Sequence, residues 1–306
     1  MILALSGGVG GAKLVQGLAR HVPDENLAVV VNTADDFEQF GLHVAPDVDT
    51  VMYTLAGLSS KERGWGIANE SWNALQMFRR YGYETWFQLG DLDLATNILR
   101  TQGLALGRAL SAVTQDLCRR LGLQTQIIPM TDDGVTTYVK TASGWLHFQE
   151  YFVRERCEPA VLELAFRGID QALPAPPFLD VLQRADAVIL TPSNPVVSLG
   201  PILSLEGIRR SLRESQATKV AVTPLIGGAA VKGPTVPLME SVGLTPTAFG
   251  VAEHYADFLD IFVLDQQDVA DRDAIAALGM QVHVTDTLMT TDADKARLAG
   301  EILDLL

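Results

Sequence analysis

The residues Ser6-Gly7-Gly8-Val9-Gly10-Gly11-Ala12-Lys13 put four glycines and a lysine into eight positions. Glycine lets a backbone turn tightly and approach a ligand closely. If a helix starts here, its free N–H groups and positive dipole end suit a phosphate. The spacing is not that of a GxxxxGK[ST] loop, because Ala12 stands in the second glycine place and Leu14 in the hydroxyl place. It is also a poor dinucleotide fingerprint. Gly8 and Gly10 fit GxG, but Lys13 fills the third glycine place, and Asn32 stands where an acid would bind a ribose. A nicotinamide cofactor is therefore disfavoured. A tight turn with no ligand is the plainer use of the same residues, and Lys13 could be a solvated helix residue.

Acidic residues come in close pairs at Asp35/Asp36, Asp47/Asp49, Asp91/Asp93 and Asp132/Asp133. Hard oxygen ligands beside a phosphate site suggest Mg²⁺, which takes one or two carboxylates plus substrate phosphates. Position favours Asp35 and Asp49, one just past a strand and the other at a helix start. Capping and solvation are the alternative use, above all for Asp47, Asp91 and Asp93. The segment Thr191-Pro192-Ser193-Asn194-Pro195 is a loop stiffened by two prolines, with short polar groups able to read a base or hold a phosphate. Ile226 to Gly233 is a third glycine-rich loop that could close over a nucleotide. The five histidines form no cluster, and no HExxH or GxSxG spacing occurs, so covalent nucleophilic hydrolysis is unsupported. Trp65, Trp72, Phe78, Tyr81, Trp86 and Phe87 could line an aromatic pocket, although core packing would use most of them.

These groups need elements to hold them. Buried strands are predicted at Ile2 to Leu5, Leu27 to Val31, Ala187 to Leu190, Val220 to Val222, Ile261 to Leu264 and Val282 to Val284. Helical spacing covers Lys13 to His21, Val48 to Leu58, Ser71 to Tyr81, Leu92 to Thr101 and Leu106 to Leu121, and a further helix runs through Arg213. Val135 to Thr141 and Trp145 to Val153 alternate around Ser143-Gly144, which predicts a hairpin. Strand–helix alternation implies a parallel sheet with helices on both faces. The expected fold is thus α/β: one domain with a Rossmann-like core from about 1–60 and 160–306, and a helical and hairpin insertion over about 61–159.

Composition bounds the partners. The 306 residues carry 23 Lys plus Arg against 37 Asp plus Glu, a net charge of −14. That balance disfavours nucleic acid and anionic membrane. Cys118 and Cys157 make no CxxC pair or zinc cage. No apolar run reaches the roughly 18 residues of a membrane span. The chain opens into an apolar run with no basic segment before it, so a cytoplasmic protein without a signal peptide is expected.

Seven segments, in order along the chain, together resemble the 2-phospho-L-lactate transferase family (CofD). They are SGGVGGAK (6–13), VNTADD (31–36), PDVDTVMYT (46–54), RGWGIANE (63–70), LGDLDLAT (89–96), HFQE (147–150) and TPSNPVVSLGPILSL (191–205). The resemblance implies a Mg²⁺-dependent step in making the deazaflavin coenzyme F420. A guanosine diphosphate ester of a three-carbon acid would donate its phospho-acid to the terminal hydroxyl of the deazaflavin Fo, releasing GMP. The acid could be 2-phospholactate, phosphoenolpyruvate or 3-phosphoglycerate. By the same resemblance, Gly8, Gly10, Gly11 and Lys13 would cradle the diphosphate, with Asn32 beside them. Asp35 and Asp49 would be metal ligands or, either of them, the base. Ser193 and Asn194 would lie at the guanosine, and Asn69, Asp91 and Asp93 at Fo. A homodimer is also implied. The competing function is a nucleotide- or nucleotide-sugar-binding regulator on the same fold, which would need no Fo pocket. The Trp-rich 63–72 segment and GDLDLAT favour the transferase.

Overall fold

A computed structural model describes residues 1–231 and 233–306. Seven parallel strands form its centre: β1 (Ile2–Ser6), β2 (Leu27–Val31), β3 (Gln126–Pro129), β4 (Ala187–Leu190), β5 (Thr218–Val222), β6 (Ile261–Asp265) and β7 (Gln281–Thr285). Their order across the sheet is β7-β6-β5-β4-β1-β2-β3. β2, β4 and β6 are buried at every residue, as expected of strands covered on both faces. Alternate residues feed two cores. Leu3, Leu5, Val30 and Leu190 point into one, and Ala4, Val29, Val31 and Ile189 into the other. The chain reverses its direction of winding between β1 and β4, the position where open α/β sheets bind ligands.

Helix α1 (Val9–Leu18) follows β1 almost at once, four residues earlier than the predicted Lys13 start. It lies so close to the C-terminal helix Asp292–Leu303 that a Cβ on Gly17 would run into the Lys295 carbonyl. After β2 come a small hairpin (Phe37–Gln39 with Leu42–Val44) and the helices α2 (Pro46–Leu55), α3 (Asn73–Arg80), α4 (Asp91–Ala105) and α5 (Leu110–Arg120). Gly107, with φ of 78°, lies between the last two.

The predicted hairpin exists as Thr136–Thr141 paired with Gly144–His147. Its second strand stops at His147, because Phe148, Tyr151 and Phe152 turn with helical spacing onto the core. Glu163–Arg167 adds a third, unpredicted strand. The single helix predicted through Arg213 is two, Leu199–Ser204 and Ile208–Glu214, divided at Gly207, whose φ is 79°. The 61–159 stretch is not wholly peripheral, since it supplies β3, whose Ile127 and Ile128 are buried beside β2.

Candidate functional site

A cleft of about 740 Å³ opens at the carboxyl ends of β1, β2, β4 and β5. One wall is the first turn of α1, with Gly8, Gly10 and Lys13. Each glycine there has a steric cause. A Cβ on Gly10 would stand 2.6 Å from the Pro192 carbonyl. One on Gly11 would collide with Ser6 Oγ and sit 2.7 Å from Thr191 Oγ1 and 2.8 Å from Ser193 Oγ. Gly11 therefore packs the helix onto the strand ends, and it does not line the cleft. The loop is also shorter than predicted, because Gly10 and Gly11 already belong to α1. The first N–H groups of a helix have no partner within it, so those of α1 and its dipole favour an anion in the cleft. Lys13 Nζ donates to the Met289 carbonyl at 3.0 Å while lining the same space.

Ser193 and Asn194 line the cleft from the loop after β4. Ser193 Oγ accepts the Gly7 N–H at 3.0 Å, joining this loop to the glycine turn. Asn194 Oδ1 accepts the N–H groups of Val196 and Val197, and its amide donates to Thr235 Oγ1 at 3.2 Å. The third glycine-rich loop forms a short hairpin, Leu225–Ile226 with Ala229–Ala230. Gly227 and Gly228 turn it with φ of 60° and 72°, and Asp268 accepts both of their N–H groups. Ile226, Val231 and Gly233 from this segment reach the cleft, while Lys232 lies outside the described residues.

Asp35 and Asp47 both line the cleft, with Asp47 against the glycine turn. Burial drives the Asp35 carboxyl well above its ordinary range, and the Asp47 charge drives it further. Asp35 Oδ1 is buried without a hydrogen-bond partner. Asp47 is pushed up to about 7, chiefly by burial and against a hydrogen bond from Asn32. Asn32 is fully buried. Its amide donates to Asp47 Oδ2 at 3.1 Å, and its Oδ1 accepts the Ala34 N–H. Asn32 thus orients an acid and does not itself line the cleft.

Asp49 also lines the cleft, but its carboxylate is already engaged inside the protein. Both of its oxygens are taken by the Arg100 guanidinium, Oδ2 at 3.1 Å from Nη1 and Oδ1 in contact with Nη2. Arg100 has no exposed surface. Its positive charge and hydrogen bonds restrain the Asp49 carboxyl, which burial raises. Asp47 also lines the cleft, and its charge acts on Asp35. Asp36 is held by His43, whose Nε2 lies 2.9 Å from Oδ2.

Two carboxylates lining one cleft, one with an orphaned buried oxygen, fit a hard divalent cation that completes its shell with phosphate and water. Among the described residues no group of three His, Cys, Asp or Glu could hold a metal by itself. The arrangement thus suits a metal shared with substrate.

The cleft also has an aromatic lining, from Trp65, Trp86, Phe87, Phe148 and Phe152. Phe37 buttresses Trp86 and Phe87 at ring-centroid distances of 5.8 and 4.7 Å. Phe78 instead stacks on Phe40, and Tyr81 is 73% exposed. Asp93 reaches the cleft and accepts the Tyr53 hydroxyl at 2.7 Å. Two neighbours do not. Asp91 accepts the N–H groups of Asn73 and Ala74, capping α3, and those bonds with one from Ser71 lower it to about 2. Asn69 is an exposed turn residue with φ of 56°. The sequence signal for Arg100 and Tyr53 was only their phase on α4 and α2, which marks a core-facing side and not a partner.

A family profile described as 2-phospho-L-lactate transferase CofD matches residues 2–299. A 2-phospho-L-lactate transferase of Methanosarcina mazei is 40% identical over 302 residues, 99% of each chain. A phosphoenolpyruvate transferase of Thermobifida fusca is 42% identical over 318 aligned positions, 99% of this chain and 97% of that one. A crystal structure of a UPF0052 family protein from Bacillus halodurans superposes with a TM-score of 0.63 over 99% of this chain and 98% of its own, at 15% identity. That last likeness speaks to the fold alone.

Proposed function

The chain belongs to the CofD family of transferases, and from that premise we propose that it moves a phospho-three-carbon acid from a guanosine diphosphate ester to the terminal hydroxyl of deazaflavin Fo. The reaction serves coenzyme F420 biosynthesis and releases GMP. The observation that carries this reading is a single cleft lined both by a glycine turn with acids and by the rings of Trp65, Trp86 and Phe87. The cleft volume of about 740 Å³ lies in the ordinary range of roughly 300–1,000 Å³ for ligand sites. A regulator that binds only a nucleotide would need no aromatic wall.

The diphosphate lies against the N-terminal turn of α1, where Gly8 and Gly10 permit close approach and Lys13 adds charge. Ser193 and Asn194 flank the nucleoside side. Asp35 and Asp47 hold Mg²⁺, which when bound offsets the phosphate charge. The planar deazaflavin lies against the aromatic wall, with its ribityl chain directed to the phosphates. The hydroxyl attacks in line with the leaving GMP oxygen. Catalysis of this kind is positioning plus electrostatic stabilisation of spread charge. Removing one aimed donor typically costs ~10²–10³ in rate.

The protein acts in the cytoplasm as a homodimer on this reading. No helix among the described residues is long and apolar enough to cross a membrane. α3 and α4 expose Met77, Leu92, Ile98 and Leu99, an apolar face of the sort that oligomers cover. The test is incubation with Fo, Mg²⁺ and the guanylyl ester of each three-carbon acid, read by mass spectrometry. A product heavier than Fo by one phospho-acid, lost with EDTA, supports the reading and names the donor. Saturable GDP binding with no product from any donor overturns it in favour of the regulator.

A further inference from the structure

Several carboxylates stand around the first turns of α4, and all but one are committed elsewhere. Asp91 caps α3. Glu70 accepts the N–H groups of Leu92 and Asp93 and so caps α4. Asp49 is taken by Arg100. Asp93 differs. Its Oδ1 accepts the Tyr53 hydroxyl at 2.7 Å and the Asn97 amide at 3.3 Å. Among the described residues no hydrogen bond reaches its Oδ2, and the side chain lines the cleft. Asn97 and Tyr53 are buried, so Oδ1 is held from the protein interior, while the side chain that carries the unbonded Oδ2 lines the cleft.

We propose that Asp93 is the general base for the transfer, taking the proton of the attacking hydroxyl on Oδ2. The assignment rests on the transferase reading above. In that step the O–H proton passes to Oδ2 while the hydroxyl oxygen forms its bond to phosphorus. The phosphorus–oxygen bond to GMP breaks, and its electron pair leaves with GMP. Asp93 then returns the proton to solvent. Tyr53 is a positioning residue, because it fixes the oxygen that does not react.

The electrostatic surroundings agree with the role. Asp93 is raised to about 7, first by burial and then by the Asp49 charge, with the Tyr53 bond and Arg100 pulling the other way and Glu70 adding a small rise. Asp49 and Tyr53 face it from α2, Arg100 from its own helix and Glu70 from the preceding loop. A base works best when its pKa lies near the working pH, and a positioned base typically contributes ~10²–10⁴ in rate.

The test compares wild type with Asp93→Asn, an isosteric change, using whichever guanylyl donor wild type accepts. We expect kcat to fall by ~10²-fold or more, with KM for Fo and GDP affinity within about threefold. Wild-type kcat should rise with pH through about 7, and that limb should vanish in the variant. Tyr53→Phe should move the limb to higher pH, since it removes a bond that favours the ionised carboxylate. A variant with kcat within threefold of wild type overturns the base assignment alone. So does a loss carried entirely in KM for Fo, which would make Asp93 a binding residue. No product from wild type with any donor overturns the transferase reading and the base assignment with it.

Discussion

The Arg100–Asp49 pair is the sharpest point at which to perturb this protein. Arg100 has no exposed surface, Asp49 has 5%, and the contact joins α4 to α2 through two parallel hydrogen bonds. Replacing Arg100 by Met leaves a buried carboxylate without its cation. Removing one partner of such a pair costs about 3–5 kcal/mol, whereas replacing both by apolar groups is close to neutral. With 306 residues and an unfolding entropy of roughly 2.1 cal/mol/K per residue, ΔS at the midpoint is about 0.6 kcal/mol/K. The single change should then lower Tm by about 5–8 °C. Asp49→Leu should cost a similar amount, because it strands the guanidinium. The double variant Asp49→Leu/Arg100→Met should recover most of the loss. Calorimetry and urea unfolding at pH 7.5 on the four proteins give the coupling energy directly. Singles within about 1 kcal/mol of wild type, or a double variant as unstable as the sum of its parts, would falsify the claim that the pair is a committed internal contact. Asp49 would then be available for the metal role that its place in the sequence suggests.

Three further outcomes follow from the same geometry. Because folding raises the Asp35 and Asp47 carboxyls, the native state binds more protons than the unfolded chain between about pH 4 and 7. Metal-free protein should therefore lose stability as pH rises through that window, and Asp47→Asn should flatten the slope in pH-dependent denaturation; an unchanged slope would remove the pair's role. The same variant should weaken Mg²⁺ binding in calorimetric titration, while Asp49→Asn at matched protein stability leaves it nearly unchanged. Gly10→Ala forces a methyl to within 2.6 Å of the Pro192 carbonyl. Overpacking of that kind costs about 1–3 kcal/mol, and the displaced turn should lose GDP affinity as well; full GDP affinity with normal stability would contradict the packing account.

The strands were legible because buried parallel strands are short apolar runs, and β2 and β4 occur at their predicted residues. The glycine turn was legible for a similar local reason: glycine at these positions reflects close backbone approach. The aromatic wall was only half legible. Trp65, Trp86 and Phe87 line the cleft, whereas Phe78 and Tyr81, from the same stretch, do not. Helical phase alone could not separate them, because their fate depends on where the Phe37–Val44 segment folds back to meet them.

The acids show where sequence ends and tertiary structure begins. Sequence determined that carboxylates stand in pairs at strand ends and helix starts, because types and spacings are written there. It could not say which of them would be neutralised. Asp47 and Asp49 are two residues apart on one helix, yet α4 brings Arg100 to the second, while the first is held by Asn32 and acts on Asp35 through its charge. Asp91 and Asp93 part in the same way, one capping α3 and the other reaching the cleft. A carboxylate's chemistry is set by its burial and by the charge within a few ångströms, and those neighbours come from distant parts of the chain.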